Sequence, residues 1–510
     1  MKKLKKLAAL LLAVVMTMAM NMTVFAADDG TTTTKSDTYK LTLTGTATGH
    51  TYEVYQIFTG DLKADADGSN KVLSNVKWGT GVTYTGTKTA AEVAESLKTE
   101  ADLTSLLKED DFKLATAPKT VQSSKDSTVI DGLVAGYYLV KDQDGTQANK
   151  SDAYTKFIVE VVGDTSAAIK SDVPKVEKKV KDTNDSTGVT TGWQDSADYD
   201  IGDSVPFQIT GTMPANIADY TTYKYEFTDT MTKGLTYTAK SATITVGGKT
   251  ATLDADGSFK ETVTPNEDGT TTVTWDCTDL KALANTLGAT FDANTKVVVT
   301  YNAKLNENAV IGADGNPNYV DLTYSNNPNK GGEGNTGKTP KDTNIVFTYE
   351  TIVNKVDPQG KSLAGAGFTL QKKQSDGNYK DIQTYKADGR TTFDFKGLDD
   401  GAYKLIESTT PAGYNTITPV EFTVSATHTN GETLELKDLS VTVTNGSTNL
   451  KDGVFTVKTT DGTMETNIVN NQGSVLPSTG GVGTRMFYVF GGCLVAAAVV
   501  LLALKKRREA

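Results

Sequence analysis

Two long apolar runs bracket this chain, and between them apolar residues mostly alternate with polar ones. The first run lies in "MKKLKKLAALLLAVVMTMAMNMTVFAADDG", after a lysine-rich start and before a small-residue exit near Ala26. The second is Met486 to Leu504, followed at once by Lys505, Lys506, Arg507 and Arg508. In between, period-2 alternation predicts strand after strand: "YKLTLTG", "TYEVYQIF", "GLVAGYYLVKD", "SVPFQITGTM", "YKYEFTDTM", "TKVVVTYNAKL", "NYVDLTYS" and "AYKLIESTT" are among them. The pattern switches to a helical one at "TAAEVAESLKTEADLTSLLKEDDF", where Thr89 and Glu92 make a capping box, and again at "CTDLKALANTLG". "NNPNKGGEGNTGKTPK", Asn326 to Lys341, reads as a flexible insertion or loop. Short strands with Gly and Asp turns predict a mainly β chain of tandem sandwich domains, the first with a short helical excursion.

The ends decide where the chain works. Residues 1–26 read as a secretory signal peptide. Residues 486–504 are long enough to span a bilayer, and the basic tail holds the C-terminus on the cytoplasmic side. Everything between is then outside the cell. The strand pattern divides that part into residues 28–170, 171–348 and 349–472.

Composition removes several classes of function. The chain has 51 basic and 62 acidic residues and a formal net charge of −11, which argues against nucleic-acid binding. Its two cysteines are Cys277 and Cys493, the second inside the membrane run, so no disulfide is expected within the exported part. Two isolated histidines, His50 and His428, offer no metal cluster and no nucleophile–base pair, so neither a metal, a cofactor nor a hydrolase is expected.

The lysines are more informative. In "KVEKKVK", strand alternation puts Val176, Lys178 and Val180 on one face and Glu177, Lys179 and Lys181 on the other. Lys178 therefore stands among core positions, where an unpaired ammonium is costly. Asp229 shares a face with Tyr225, Phe227 and Met231. Lys355 shares one with Val353, and Glu407 shares one with Tyr403 and Leu405. Late strands add inward asparagines: Asn318 with Val320, Leu322 and Tyr324, and Asn470 with Ile468. Lys, Asn and a buried acid together can make an isopeptide bond. A neutral lysine amine attacks the Asn side-chain carbonyl, the acid polarises that carbonyl and shuttles protons, and ammonia leaves. In the middle domain Asn326 and Asn344 stay open beside Asn318. Asp142 has no convincing lysine and asparagine partners, so no bond is expected in the first domain. By the loop-entropy argument a 178–318 cross-link is worth on the order of 5 kcal/mol.

Leu476-Pro477-Ser478-Thr479-Gly480, the apolar span and the basic tail, in that order over residues 476–510, resemble the cell-wall sorting signal of Gram-positive surface proteins. That resemblance implies cleavage by a sortase between Thr479 and Gly480, with the Thr479 carbonyl passed to an amine. "TIVNKVDPQGKSLAGAGFTLQKK" and the E-box-like "ESTTPAGY" resemble Cna-B type immunoglobulin-like modules, and the whole exported chain resembles the backbone pilins of sortase-assembled pili. The family pattern implies Lys355, Glu407 and Asn470, with Asn471 as the alternative, as one isopeptide set, and Lys178, Asp229 and an asparagine as another. It also implies a linking lysine at the junction of the first two domains. The usual Tyr-Pro-Lys-Asn motif is absent; Lys170 in "AAIKSDVP" is the candidate, with Lys175 as the alternative.

The expectation is a non-enzymatic shaft subunit of a covalent surface pilus, supporting adhesion. Its expected partners are other copies of itself, pilus and housekeeping sortases, peptidoglycan, minor pilins and host surface ligands. The competing reading is a monomeric wall-anchored adhesin or minor pilin that binds a host ligand.

Overall fold

The computed structural model describes residues 37–64, 71–98, 100–146, 152–169, 171–332, 334–431, 433–473 and 482–508. Compact packing divides the chain into two units. The first comprises 1–183, 189–348 and 427–437; the second comprises 184–188, 349–426 and 438–510.

The first unit holds two sandwiches. In the N-terminal one, Tyr39–Thr46 lies between Thr165–Ala168, parallel to it, and Asp126–Leu133, antiparallel. The facing sheet runs Lys71–Trp78, Thr51–Ala64, Gly136–Asp142, Lys156–Val161. Leu41, Leu43, Tyr52, Val54, Ile130 and Phe157 fill the space between. The long helix expected after Thr89 is two short ones, Ala90–Ser96 and Glu100–Leu106. The capping box is present, and Val93, Leu103 and Leu106 pack against Phe58 and Phe112.

The middle sandwich supplies the larger core. One sheet orders Val176–Val180, Ser204–Thr212, Lys296–Leu305, Thr243–Val246 and Lys249–Ala251. The other orders Ser196–Asp198, Asp342–Phe347, Asn316–Ser325, Tyr225–Met231, Thr271–Cys277 and Lys260–Pro265. Phe207, Tyr225, Phe227, Trp275 and Tyr301 are buried between them. The short helix Leu280–Leu287 is capped by the Asp279 side chain and ends at Gly288, whose φ of 62° suits a residue without Cβ.

Asn326 to Lys341 is more ordered than its composition suggests. It contains a 3-10 turn at Pro328–Lys330 and a strand, Thr336–Lys338, paired with Asn316–Ser325. The asparagines explain the difference. Asn326 Nδ2 donates to Asp152 O (3.0 Å) and Asn327 Nδ2 to Asp144 Oδ1 (3.1 Å), so their amides take up polar groups of the N-terminal sandwich that a disordered loop would leave to water.

The second unit is one sandwich and a helix. Its first sheet orders Thr392–Leu398, Tyr349–Val356, Thr463–Val469 and Thr456–Lys458; its second orders Tyr379–Tyr385, Gly367–Lys373, Gly401–Thr409, Val420–His428 and Leu436–Asn445, the last two strands reaching residues 427–428 and 436–437 of the first unit. Tyr349–Val356 and Thr463–Val469 run parallel, with Lys355 opposite Ile468. The C-terminal helix is Val482–Arg508, and Tyr488–Arg507 within it is long and apolar enough to cross a membrane.

Candidate functional site

Two polar clusters sit inside otherwise apolar cores. In the middle sandwich, Lys178, Asp229 and Asn318 are fully buried. Lys178 comes from one sheet, opposite Ile209; Asp229 and Asn318 come from the other, on adjacent strands. Alternation aims all three inward, since Lys178 shares its face with Val180, and Asp229 with Phe227 and Met231.

Tyr301, on Lys296–Leu305, joins the three. Lys178 Nζ donates to its hydroxyl (2.6 Å), the hydroxyl donates to Asp229 Oδ2 (2.9 Å), and Asn318 Nδ2 donates to the hydroxyl (2.8 Å). Lys178 Nζ also contacts Asp229 Oδ2 directly and lies 5.3 Å over the Phe207 ring. Burial lowers the Lys178 pKa, against the pull of Asp229, and burial raises that of Asp229. Both shifts favour the uncharged forms, an amine and a carboxylic acid.

Of the three asparagines left open by the sequence, Asn318 is the one bonded to Tyr301. Asn344 stands directly across from it, buried, with neither side-chain polar atom hydrogen-bonded among the described residues. Asn326 turns to Asp152 of the N-terminal sandwich.

In the second unit, Lys355, Glu407 and Asn470 also come together. Lys355 Nζ donates to the carbonyls of Ile468 (2.9 Å) and Val356 (3.1 Å). Asn470 Nδ2 donates to Glu407 Oε1 (2.8 Å) and Oε2 (3.0 Å). Glu407 Oε2 also accepts from Thr410 Oγ1 and Ile417 N, both at 3.2 Å. Asn470 is fully buried whereas its neighbour Asn471 is exposed. Burial lowers the Lys355 pKa to about 8. Each cluster leaves its asparagine Oδ1 buried without a hydrogen-bond partner among the described residues. That oxygen is the one an attacked amide needs polarised, and rotating the amide would turn it to the acid.

Asp142 in the N-terminal sandwich has a different partner. Its Oδ1 lies 2.8 Å from His50 Nδ1 and its Oδ2 accepts from Thr155 N (2.5 Å). The buried lysine there, Lys156, donates to Thr104 Oγ1 (2.9 Å). Sequence reasoning missed Lys156, and also Lys372, which is buried beside Asp399. Lys372 shares its strand face with Phe368 and Leu370, the same parity signal that marks Lys178. It missed Tyr301 as well, whose parity marks it only as a core aromatic.

Lys175 is exposed, while its backbone is tied to Thr212: its N–H donates to Thr212 Oγ1 and its carbonyl accepts from Thr212 N, both at 2.9 Å. Lys170 and Leu476, Pro477, Ser478, Thr479 and Gly480 lie outside the described residues.

Comparison with known proteins places the domains and the C-terminal anchor. Residues 201–328 match the family model for the Gram-positive pilin backbone subunit 2, Cna-B-like domain; residues 350–439 match a prealbumin-like fold domain; residues 468–510 match the LPXTG cell wall anchor motif. The chain is a cell-wall-anchored backbone pilin. Its anchor implies polymerisation by sortase and attachment to the wall. The pilin is 27% identical over 399 residues to the trypsin-resistant surface T6 protein of Streptococcus pyogenes serotype M6, covering 68% of this chain and 71% of that one. Among solved structures it is similar in fold to the T6 backbone pilin of serotype M6 S. pyogenes, with a TM-score of 0.52, 21% identity, and coverage of 86% of this chain and 100% of that one. The full-length major pilin SpaD of Corynebacterium diphtheriae has a TM-score of 0.46 and 17% identity, over 86% of this chain and 98% of that one. The apolar helix Tyr488–Arg507 fits the membrane-spanning part of the pilin's anchor.

Proposed function

We propose that this pilin is the repeating shaft subunit of a covalent surface pilus, and that two internal isopeptide bonds harden each subunit. The carrying observation is the pairing, in two separate cores, of a buried lysine of lowered pKa with a buried asparagine and an acid. Lys178 Nζ attacks the side-chain carbonyl of Asn318, and Lys355 Nζ that of Asn470. The acid, Asp229 or Glu407, donates a proton toward the carbonyl oxygen and relays the amine proton to the leaving nitrogen. One amide bond forms, one C–N bond breaks and ammonia departs, with no redox step. Burial suits this because it disfavours the ammonium of Lys178 and of Lys355 and the carboxylate of Asp229.

Polymerisation uses the other end of the chemistry. A sortase cuts between Thr479 and Gly480, and the Thr479 carbonyl passes to a lysine amine of the next subunit. Lys170 is the proposed acceptor and Lys175 the alternative. The pilin is in this reading a sortase substrate that turns over nothing itself. Peptidoglycan receives the last subunit, minor pilins and host surface ligands attach to the shaft, and the exposed polymer supports adhesion. The relative described as trypsin-resistant is in keeping with subunits held folded by internal covalent bonds.

Wall extracts on denaturing gels test the shaft reading. A high-mass ladder is expected, lost in Lys170→Ala and kept in Lys175→Ala. One wall-linked monomer band would instead support the adhesin reading and overturn the shaft.

A further inference from the structure

We propose that Asp182, Asp198 and His428 form a binding site for a divalent cation of the zinc type. All three belong to the first unit, His428 through the segment 427–437. His428 Nε2 lies 3.6 Å from Asp182 Oδ2 and 3.8 Å from Asp198 Oδ1, and the three ligand atoms are within 4.8 Å of one another. Those gaps are too long for an N–H···O hydrogen bond. They match two ligands of one ion: bonds of about 2.1 Å, opened to angles of roughly 110–130°, hold ligand atoms about 3.4–3.8 Å apart.

The hydrogen bonds around the ring point the same way. Ser196 Oγ donates its single proton to Thr429 O (2.7 Å). The remaining contact, Ser196 Oγ to His428 Nδ1 at 2.6 Å, therefore has the ring donating. With one proton on Nδ1, the ring turns its Nε2 toward two carboxylates; against the lowering effect of burial, Asp182 and Asp198 hold the His428 pKa up, to about 9, so the pair of acids calls for a positive charge at this position. A lone pair there would be repelled by both acids, so the position takes either a second ring proton or a metal cation, and the spacing above is that of metal ligands. An imidazole whose far nitrogen is held by a hydroxyl is also how proteins orient a metal-binding histidine.

The surroundings fix the donors in place. The Phe347 ring lies 5.7 Å from the His428 ring, centroid to centroid. Asn430 Oδ1 accepts from Asp195 N (2.8 Å), and Gly431 N donates to Asp195 Oδ2 (2.8 Å), pinning the segment that carries His428. Asp182 Oδ1 is buried and has no hydrogen-bond partner among the described residues, so that carboxylate has an oxygen to spare. One imidazole with two carboxylates suits zinc better than calcium or magnesium, which prefer all-oxygen shells. The competitor for the space is a proton on Nε2.

Isothermal titration of the full untagged chain in detergent, first freed of metal with a chelator and then titrated with zinc chloride, tests this. One zinc per chain is expected, bound at least tenfold more weakly by His428→Gln and by Asp198→Asn. Asp182→Asn, at the more exposed edge, is the control should either of those fail to fold. A chain that retains no zinc would hold an imidazolium there instead, and the proposal fails. It fails equally if folded variants, judged by circular dichroism, bind zinc as the parent does.

Discussion

Asn318 Nδ2 lies 2.8 Å from the Tyr301 hydroxyl, and that hydroxyl is the shared partner of the whole middle cluster. Lys178 and Asp229 meet it too, at 2.6 and 2.9 Å. In the proposed reaction Tyr301 would therefore set the distance between the amine and the amide. Tyr301→Phe keeps the ring, and with it the stacking on Phe207, but removes the hydroxyl. We expect slower bond closure, seen as a chain that emerges from synthesis partly 17 Da heavy (about one ammonia) and matures with time. A variant as fully closed as the parent at the earliest sampling would remove Tyr301 from the reaction.

Intact mass reads both proposed bonds at once. The parent should be lighter than its sequence mass by two ammonias, about 34 Da. Lys178→Ala and Asn318→Ala should each restore one loss, and Lys355→Ala and Asn470→Ala the other. If Asn318→Ala kept both losses while Asn344→Ala lost one, the acceptor would be Asn344.

The acids should matter for chemistry more than for folding. Asp229→Ala and Glu407→Ala remove the proposed proton relay, so each is expected to lack one ammonia loss while keeping its far-ultraviolet spectrum. Asp229→Asn and Glu407→Gln are near-isosteric checks, expected to be equally unbonded. Full closure in either pair would leave the acid with a structural role only.

Lys355 gives a pH dependence with a definite sign. In Asn470→Ala the lysine stays free, and its folded pKa of about 8 lies below the usual lysine value. Between about 8 and 10.4 the unfolded chain then holds more protons than the folded one, so stability rises with pH across that window. Denaturant midpoints should climb from pH 8 to pH 10 in Asn470→Ala. The climb should flatten in Asn470→Ala with Lys355→Met. Parallel curves for the two would show that the lysine does not titrate as its burial implies.

Much of the site is legible in the amino-acid sequence because strands sort side chains by parity. The apolar residues two positions away mark Lys178, Asp229, Lys355 and Glu407 as inward. Parity says nothing about which strands become neighbours, which is why the sequence leaves three asparagines open and the sheet order puts Asn318 next to Asp229's strand. Tyr301 carries no signal, since an aromatic at an inward position is ordinary core. Asn326 to Lys341 misleads because asparagine-rich composition looks like a loop whether its amides face water or buried carbonyls. His428 looks isolated since its partners, Asp182 and Asp198, lie more than two hundred residues upstream.

The parallel pairing of Tyr349–Val356 with Thr463–Val469 puts Lys355 beside the end of the last strand, near both the entry and the exit of its sandwich. A bond from Lys355 to Asn470 would take residues 356–469 out of any line of tension. Unravelled, that stretch is over a hundred residues, on the order of 400 Å of slack at roughly 3.4 Å per residue. Closed, it can release none. A filament of such subunits would behave under shear as a tether of fixed length, giving way at its attachments before it stretched.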